Sequence, residues 1–533
     1  MALNNNKTKR ALLGSGALAL LGLAAVPLPA QALDGADIIR QRCLACHSET
    51  GDAAAPFSRI SEQRKTPEGW MTTLNRMQSQ RGLEISVEEK RALIKYLSDN
   101  QGLAPAETAE HRYLLEQTPN VVDNPAPAYA EMCARCHSGA RFALQRRSED
   151  EWRNLVHFHM GQFPTLEFHA LSRDRAWFDI ALNDTVPQLA KEFPLQSAAW
   201  QQWQQAEKPK LAGSWAVAGY LPGKGAFDGR LTVRDSGDDR YSVLIEGRYA
   251  DGSPLSGGGS AVVYAGYEWR ANLTVDGIKM RQVLAASEDG SRLRGRQFQR
   301  NANEIGGELT AVRADRPAIL SVTPSYIKHG ETRQITLAGS QLGGKLALGS
   351  GLELLKVIAR SDSRVTLLVR ADANTEVGMR TLRVGKATAE LALYDALARV
   401  EITPDDSIAR VGGNGGPIPK VRSSYRALGY AAGADGQPGT DDDLRLGYMP
   451  ASWSLKPFDE IAEHDNDLKY AGTIDADGIF TPGDAGLNPE RKMSTNNVGN
   501  LTVVGTVQDG DNAVSGEAHL LVTVQDFVKS PLQ

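Results

Sequence analysis

Two short cysteine clusters near the N-terminus constrain this chain more than any other feature of its sequence. The four cysteines of the 533 residues all fall in CLACH at 43–47 and CARCH at 133–137, each a C-x-x-C-H pattern. In c-type haem attachment the two thiols of this pattern bond to the haem vinyl groups, and the adjacent His becomes the proximal iron ligand. The spacing therefore predicts two covalently bound haem c groups. The predicted attachment residues are Cys43, Cys46, Cys133 and Cys136, and the predicted proximal ligands are His47 and His137.

Other chemistries also use two cysteines at this spacing. A Cys-x-x-Cys pair can act as a redox dithiol or supply half of a zinc site. The redox motif usually sits between a strand and a helix, and neither alternative explains a His directly after both pairs. If all four cysteines form thioethers, the mature chain contains no free thiol and no disulfide.

The first 32 residues have the pattern of an export signal. A basic segment at 4–10 precedes an apolar run at 11–26, and AQA at 30–32 matches the A-x-A pattern of a signal-peptide cleavage site. This pattern predicts a signal peptide cleaved near Ala32 and a periplasmic mature protein. No later apolar stretch approaches about 18 residues, so no membrane span is expected after signal removal. The formal net charge of −5 leaves no basic excess for nucleic-acid binding.

The hydrophobic period divides the mature chain into a helical part and a strand-rich part. Helical periodicity with capping signals extends from residue 34 to about 205, with Ser86–Glu89 as one example. After 208–209 the period changes to that of strands, in short runs separated by Gly- and Asp-rich turns. The change predicts an all-α dihaem cytochrome c domain followed by an antiparallel β-barrel.

Two later segments resemble immunoglobulin-like domains. The segment 319–339 resembles the opening of modules of the IPT/TIG type, and Gly378–Val384 resembles their closing strand. Thr473–Phe480 resembles a turn common in bacterial immunoglobulin-like domains. The predicted fold is thus multidomain, with one all-α dihaem domain and three all-β domains, the last two being immunoglobulin-like sandwiches. The predicted bounds are 1–32 for the signal peptide, 33–208 for the dihaem domain (modules at about 33–110 and 111–208), 209–315 for the barrel, 316–396 for the first sandwich and 397–533 for the second.

The segments after the two cysteine clusters repeat each other. Each carries a basic residue, a hydroxyl that can cap a helix, an acidic first turn and a Trp. Seven residues beyond Trp70 and Trp152 stand Met77 and His159. A step of seven ends about 20° short of two helical turns, so each pair shares one helix face. We assign Met77 to the first iron and His159 to the second as sixth ligands.

Other side chains compete for both positions. A Met on an apolar helix face more often fills the core than binds iron, and Met71 is also nearby. For the second haem, His157 points about 140° away from Trp152 on a regular helix, although a kink can reverse this. His169 is another candidate, reached through the loop after 163–164. The choice among these three histidines stays open at this level. Thioether ligation raises a haem potential relative to bis-imidazole ligation, which predicts electron flow from the second haem to the first.

Two Asp-rich segments, 434–443 and 475–478, contain oxygen ligands of the kind that Ca²⁺ prefers. Neither has the spacing of an EF-hand, and Asp-Gly pairs are ordinary turn formers. The sequence therefore favours turns at both places.

The order of these parts is similar to that of the haem-bearing alpha subunit of quinohemoprotein amine dehydrogenases. Besides the two haem motifs, Gly213–Trp215 and Phe227–Gly229 within 211–233 carry the resemblance, which covers essentially the whole mature chain. It implies an electron-transfer subunit of a heterotrimer, with no catalytic residue of its own. It also implies that a small partner subunit carries a cysteine tryptophylquinone that oxidises primary amines, that a β-propeller subunit completes the complex, and that a small copper protein or cytochrome c accepts the electrons.

Two other classes of protein fit part of the pattern. A dihaem peroxidase-like enzyme acts at haem itself and needs an open or displaceable iron position, against which the ligand candidates after both clusters count. A haem-bearing sensor or adhesion protein suits the immunoglobulin-like resemblances. Failure to recover a quinone-containing partner would favour the sensor or adhesion protein.

Overall fold

The computed structural model describes residues 34–524 except 120, 122, 414–417 and 493–494. The predicted signal peptide at 1–32 lies outside the described residues. Helices dominate from residue 35 to 205, and strands dominate from residue 213 onwards. This arrangement confirms the prediction of a multidomain chain with an N-terminal helical region followed by β domains. No helix in the described part of the chain is long and apolar enough to cross a membrane.

The helical region consists of short helices and two small strands. Its α-helices are α1 Gly35–Arg42, α2 Pro67–Arg81, α3 Val87–Asn100, α4 Pro105–Thr108, α5 Arg112–Leu115, α6 Pro127–Tyr129, α7 Ala140–Ala143, α8 Glu149–Gln162, α9 Trp177–Ile180, α10 Val186–Glu192 and α11 Ala198–Gln205. Its strands are β1 Gln63–Lys65 and β2 Gln145–Arg147, its 3₁₀ turns are Ala109–His111 and Leu166–Phe168, and its π-helical turns are Ala130–Ala134 and Ala181–Thr185.

The helices α2 and α8 begin in the same way, as their repeated sequences predict. The Thr66 hydroxyl accepts a hydrogen bond from the Gly69 backbone amide, and the Ser148 hydroxyl accepts one from Glu151, so each cap satisfies an otherwise unpaired helix amide. Helix α2 ends at Gly82, whose φ of +69° is a conformation that glycine adopts without steric cost.

A pair of three-residue strands joins the two halves of the helical region. Strand β1 precedes α2, β2 precedes α8, and the two strands are antiparallel with Arg64 opposite Arg146. Each half also has its own hydrophobic cluster, one around Trp70 and Leu93 and the other around Trp152 and Val186. The region is therefore two similar units linked through equivalent segments.

The next region is a closed antiparallel barrel, as predicted. Its eight strands follow one another around the barrel, and β10 closes it by pairing with β3. Exposure alternates along strands such as β5, and Trp215 and Trp269 fill the interior, as expected for a barrel of this size. The strands are β3 Gly213–Leu221, β4 Gly225–Asp235, β5 Arg240–Tyr249, β6 Pro254–Tyr264, β7 Glu268–Val275, β8 Ile278–Ala286, β9 Arg292–Gln299 and β10 Ala302–Arg313.

Two sheets enclose a further core that contains Ile335, Leu367 and Leu391. One sheet has the order β11-β13-β16-β15, and the other has the order β12-β18-β17-β14. The strands are β11 Ala318–Thr323, β12 Tyr326–Lys328, β13 Thr332–Ser340, β14 Leu346–Ala347, β15 Leu352–Arg360, β16 Arg364–Ala371, β17 Gly378–Val384 and β18 Ala387–Tyr394.

One detail of this domain corrects the sequence analysis. Gly378–Val384 was expected to be the closing strand, but β18 follows it and pairs with it along its length. Gly385, with φ +60°, and Lys386 form the two-residue hairpin turn between the two strands.

The C-terminal region is also built from sheets. Its strands are β19 Arg399–Thr403, β20 Asp406–Arg410, β21 Ser423–Ser424, β22 Arg426–Ala431, β23 Leu444–Met449, β24 Ser452–Pro457, β25 Gly472–Ile474, β26 Ile479–Pro482, β27 Gly499–Asp509 and β28 Asn512–Thr523, with helices α12 Glu460–His464 and α13 Asp467–Tyr470. As in the preceding domain, a short early strand pairs in parallel with the last one, β20 with β28 here and β12 with β18 there. The immunoglobulin-like assignment of these two regions stays a prediction.

Candidate haem-binding site

The first cysteine cluster forms one tight turn directly after α1. The Cys43 amide donates to the Ile39 carbonyl at 2.8 Å and ends the helix, and the amides of Cys46 and His47 both donate to the Cys43 carbonyl, at 3.1 and 3.0 Å. Cys43 is half-buried and Cys46 is exposed. Burial raises the pKa of the Cys43 thiol, with a further contribution from Cys46. The turn thus brings the backbones of Cys43, Cys46 and His47 close together.

The second cluster forms a similar turn at the end of the π-helical segment Ala130–Ala134, which contains Cys133. The Cys136 amide lies 3.4 Å from the Cys133 carbonyl, and Cys133 is half-buried while Cys136 is exposed. Burial raises the pKa of the Cys133 thiol to about 12, again with a contribution from the second cysteine. In both clusters, therefore, the first cysteine is half-buried and the second is exposed.

Both predicted proximal histidines are held through the same ring nitrogen. The Nδ1 atom of His47 lies 2.9 Å from the Ser58 carbonyl oxygen, and Nδ1 of His137 lies 3.0 Å from the Ser138 carbonyl oxygen. Because a carbonyl only accepts, Nδ1 must carry the proton in each ring, and Nε2 is left with its lone pair. This is the form in which an imidazole binds a metal through Nε2 while a second partner fixes its orientation.

His159 lies close enough to His137 for its charge to act on that residue. Its Nδ1 atom lies 2.8 Å from the Leu155 carbonyl oxygen, which again leaves Nε2 free, and its ring centroid is 6.0 Å from that of Trp177. Burial is the main reason why the pKa of His159 is lowered. Burial also lowers the pKa of His137, and nearby positive charge on Arg141 and His159 lowers it further.

The other two histidine candidates lie elsewhere. His157 is exposed, and its ring packs edge-on against Phe178 at 5.4 Å. His169 is exposed as well, and its Nδ1 atom accepts the Leu171 backbone amide at 3.3 Å. Of the three candidates, His159 alone combines partial burial, proximity to His137 and a free Nε2.

Met77 lies in the last turns of α2, where it is half-buried. Trp70 and Leu74 of the same helix belong to a buried cluster against which Cys43 and Leu44 of the first attachment turn pack. Helix α2 and the first cysteine turn thus border one hydrophobic cluster. Met71 is also half-buried, so burial does not distinguish the two methionines.

A buried ion network, which sequence reasoning missed, joins the two similar units of the helical region. Arg64 and Arg146, opposite each other in the β1–β2 pair, both bind Glu107, at 2.8 and 3.0 Å, and the Ser197 hydroxyl donates to the same carboxylate at 2.8 Å. Burial alone would raise the pKa of Glu107, but the two guanidinium groups lower it to about 2. The detectable signal was the basic dipeptide before each helix cap, Arg64-Lys65 and Arg146-Arg147.

A second network joins the helical region to the barrel. Glu68, in the first turn of α2, binds Arg270 of β7 at 2.6 Å. Arg270 also binds Glu268 at 2.7 Å, and Glu268 binds Arg112 at 2.9 Å. These side chains are almost entirely buried, so the position of α2 is tied to a barrel wall.

The Asp-rich segments are occupied by turn contacts. Asp435 accepts the Gln437 amide at 2.8 Å, Asp443 pairs with Arg399 at 3.1 Å, and Asp475 accepts the Ile479 amide at 2.9 Å. Within the described residues, no group of three or more His, Cys, Asp or Glu side chains is arranged to hold a metal ion. The acidic side chains act as turn formers in this structure.

The two C-x-x-C-H turns with their oriented histidines thus lie in an N-terminal helical region that is followed by several β domains. Four family models match the chain and together span it. They describe quinohemoprotein amine dehydrogenase alpha subunit, as its haem-binding domain at residues 33–200, domain II at 208–314, domain III at 316–395 and domain IV at 400–532. The chain belongs to the family of quinohemoprotein amine dehydrogenase alpha subunits, and is thus a haem-binding subunit of an amine dehydrogenase, an oxidoreductase.

Other comparisons add little. No curated protein matches the chain. Similar solved structures include a redesigned beta barrel, mFAP1, bound to DFHBI, with 22% identity over 19% of this chain and 91% of that chain and a TM-score of 0.17. They also include mouse clustered PcdhgC3 EC1-3, with 15% identity over 44% of this chain and 76% of that chain and a TM-score of 0.18. At TM-scores this low, the similarities carry no argument about fold or function.

Proposed function

We propose that this chain is the dihaem electron-transfer subunit of a periplasmic quinohemoprotein amine dehydrogenase. In this proposal it receives electrons from a cysteine tryptophylquinone on a small partner subunit, where primary amines are oxidised, and delivers them to a soluble copper protein or cytochrome c. A β-propeller subunit completes the heterotrimer, and the signal peptide is removed near Ala32. Bound haem would supply the one-electron chemistry of this transfer.

The observation that carries this proposal is the duplicated attachment turn with its oriented imidazole. The residues present fit a c-type haem in each unit, because two thiols sit on one turn and the adjacent His has a free Nε2. We assign Cys43 and Cys46 to the first haem, and Cys133 and Cys136 to the second, as thioether attachments. His47 and His137 are then the proximal ligands.

The sixth ligands in this proposal are Met77 for the first haem and His159 for the second. The proximity of His159 to His137 and its Nδ1 bond to Leu155 support the histidine assignment. The burial of Trp70 and Leu74 beside the first attachment turn supports the assignment of helix α2. With both irons carrying a sixth ligand, the chain moves electrons and leaves the oxidation of the amine to the partner subunit.

The domain bounds follow the same proposal. We retain modules at about 33–110 and 111–208 for the haems, and 209–315 for the barrel. The immunoglobulin-like domains are retained at 316–396 and 397–533. The parallel pairing of an early strand with the last strand in both later regions supports their common architecture.

The test is purification of the native complex from the periplasm, followed by staining for quinone and measurement of haem reduction after addition of a primary amine. We expect two covalent haems on this chain and amine-dependent haem reduction only when the small quinone-bearing subunit is present. In a variant of this chain, serine replaces both cysteines of the first cluster, and we expect the covalent haem content to be half that of the parent. Peroxide turnover by the isolated chain, or no quinone in the complex, would contradict the proposal.

A further inference from the structure

Positive charge accumulates between helices α2 and α8, which carry the proposed sixth ligands. Too few carboxylates lie nearby to balance this charge. Lys65 is only 5% exposed, its ammonium donates to the Thr73 hydroxyl at 2.8 Å, and it lies 5.0 Å from the Trp70 ring centroid. Among the described residues, no carboxylate forms an ion pair with it. A buried ammonium with only a hydroxyl and an aromatic face is a costly arrangement unless an anion joins it.

Arg147 occupies the equivalent place in the second unit. It is 6% exposed and lies 5.5 Å from the Trp152 ring centroid, so each unit sets a buried cation on the Trp of its distal helix. Its nearest carboxylate is Glu151 at 3.6 Å, but Glu151 is bound more closely by Arg59 at 2.7 Å. One carboxylate is therefore shared between two guanidinium groups, and the neutral side chains of Gln145 and Gln63 accept the other hydrogen bonds of Arg147, at 2.7 and 2.8 Å. Lys65 forms no ion pair within the described residues, and only the charge of Glu151 acts in its favour.

Arg76 adds a further charge from helix α2. Its guanidinium lies 5.0 Å from the Phe158 ring centroid on α8, so it crosses from the first unit to the second, and it forms no ion pair within the described residues. Burial holds the pKa of Lys65 well below its usual range, and the charges of Arg147 and Arg76 lower it further. The three cations are thus close enough to repel one another.

We propose that Lys65, Arg76 and Arg147 form the binding site for haem propionates at the junction of the two units. The inference rests on the proposed function, because it needs haem in both units. Each propionate brings a carboxylate, and charge-assisted hydrogen bonds from Lys and Arg are the strong kind that such a group makes. Arg76 is next to Met77, and the charges of Arg76 and Arg147 both act on His159. Lys65 reaches Thr73, which lies four residues before Met77 on α2. An external anion has little access to Lys65, which favours a carboxylate that belongs to the cofactor itself.

The test uses the full chain with haem attached and two variants, Lys65→Met and Arg76→Gln. Resonance Raman spectra report the propionate bending modes, and a spectroelectrochemical titration reports the two midpoint potentials. We expect both variants to keep two haems per chain, to shift a propionate mode, and to lower at least one midpoint potential, because a nearby cation favours the reduced haem. Lys65→Arg keeps the charge and should restore the mode and the potential of the parent.

The matched control is Lys191→Met, which removes an equal charge from an exposed lysine of α10 and should leave modes and potentials unchanged. Arg76 is exposed, so its variant gives a second result if Lys65→Met folds poorly. Parent-like modes and potentials in haem-loaded variants would overturn the propionate site alone. A parent chain that carries no covalent haem would overturn the proposed function and this site together.

Discussion

The carboxylate of Glu107 offers the sharpest test of how the two units of the helical region are held together. We expect Glu107→Gln to weaken the β1–β2 pair severely, because the amide leaves Arg64 and Arg146 buried without a counter-charge. A shift in the pKa of Glu107 from 4.5 to about 2 corresponds to ~3 kcal/mol in favour of the folded state. Breaking a buried ion pair by removing one partner costs about 3–5 kcal/mol, which agrees with this figure.

The pH dependence of this contribution has a defined sign. Since the folded pKa of Glu107 lies below the unfolded one, the stabilisation is complete above pH 4.5 and is lost as the pH falls towards about 2. The parent chain should therefore lose protection of the β1–β2 pair over this range. Glu107→Gln should already be weakened at neutral pH and should lack this component of the acid transition.

Local hydrogen exchange is the appropriate assay, because a multidomain chain does not unfold in one step. Exchange of the amides of β1 and β2 should report a loss of ~3 kcal/mol in opening free energy at neutral pH. Glu149→Gln is the matched control, since Glu149 is exposed and its ion pair within the described residues is with Arg153 on the same helix, an interaction worth about 0.5 kcal/mol or less. Protection of the pair in Glu107→Gln within about 0.5 kcal/mol of the parent would refute the reasoning.

Three further results are expected from the haem-loaded chain. Met77→Ala and His159→Ala should each convert one haem to a high-spin form in electron paramagnetic resonance, whereas His157→Ala should not; an unchanged spectrum for either of the first two would remove that ligand assignment. Serine in place of both cysteines of the second cluster should halve the covalent haem measured as pyridine haemochrome, and an unchanged haem content would rule out attachment there. A redox titration should give the haem whose spin state changes in Met77→Ala the higher midpoint potential in the parent chain, because thioether ligation raises the potential. The opposite order would reverse the predicted direction of electron flow.

The parts of the fold that depend on local sequence could be predicted. The capping box of Ser86 and Glu89 and the caps at Thr66 and Ser148 need only residues within one turn, and the structure contains all of them. The barrel strands could be predicted because their alternation is regular and glycine-rich turns bound them. Periodicity could likewise place Trp152 and His159 on related positions of one helix.

The contacts that join the units could not be predicted from local patterns. The strand β1 has the sequence QRK and β2 has QRR, which carry no strand propensity, so their pairing depends on tertiary packing. Glu107 lies far along the chain from both of its arginines, and nothing in the sequence around it indicates a buried carboxylate. The bond from His159 to the Leu155 carbonyl is also invisible to periodicity, although it is what separates His159 from His157.

The two units share a scaffold but differ at the position that matters most for redox chemistry. Each has the attachment turn, the Nδ1-bound proximal imidazole, the helix cap and a buried cation over a Trp. Under the proposed function, features common to both units act on both haems alike and cannot by themselves create a difference in potential. The main difference on this scaffold is the residue seven positions after the Trp, which is Met77 in one unit and His159 in the other. Under the proposed function, that single position sets the direction of electron flow, while the repeated residues around it hold both cofactors in place.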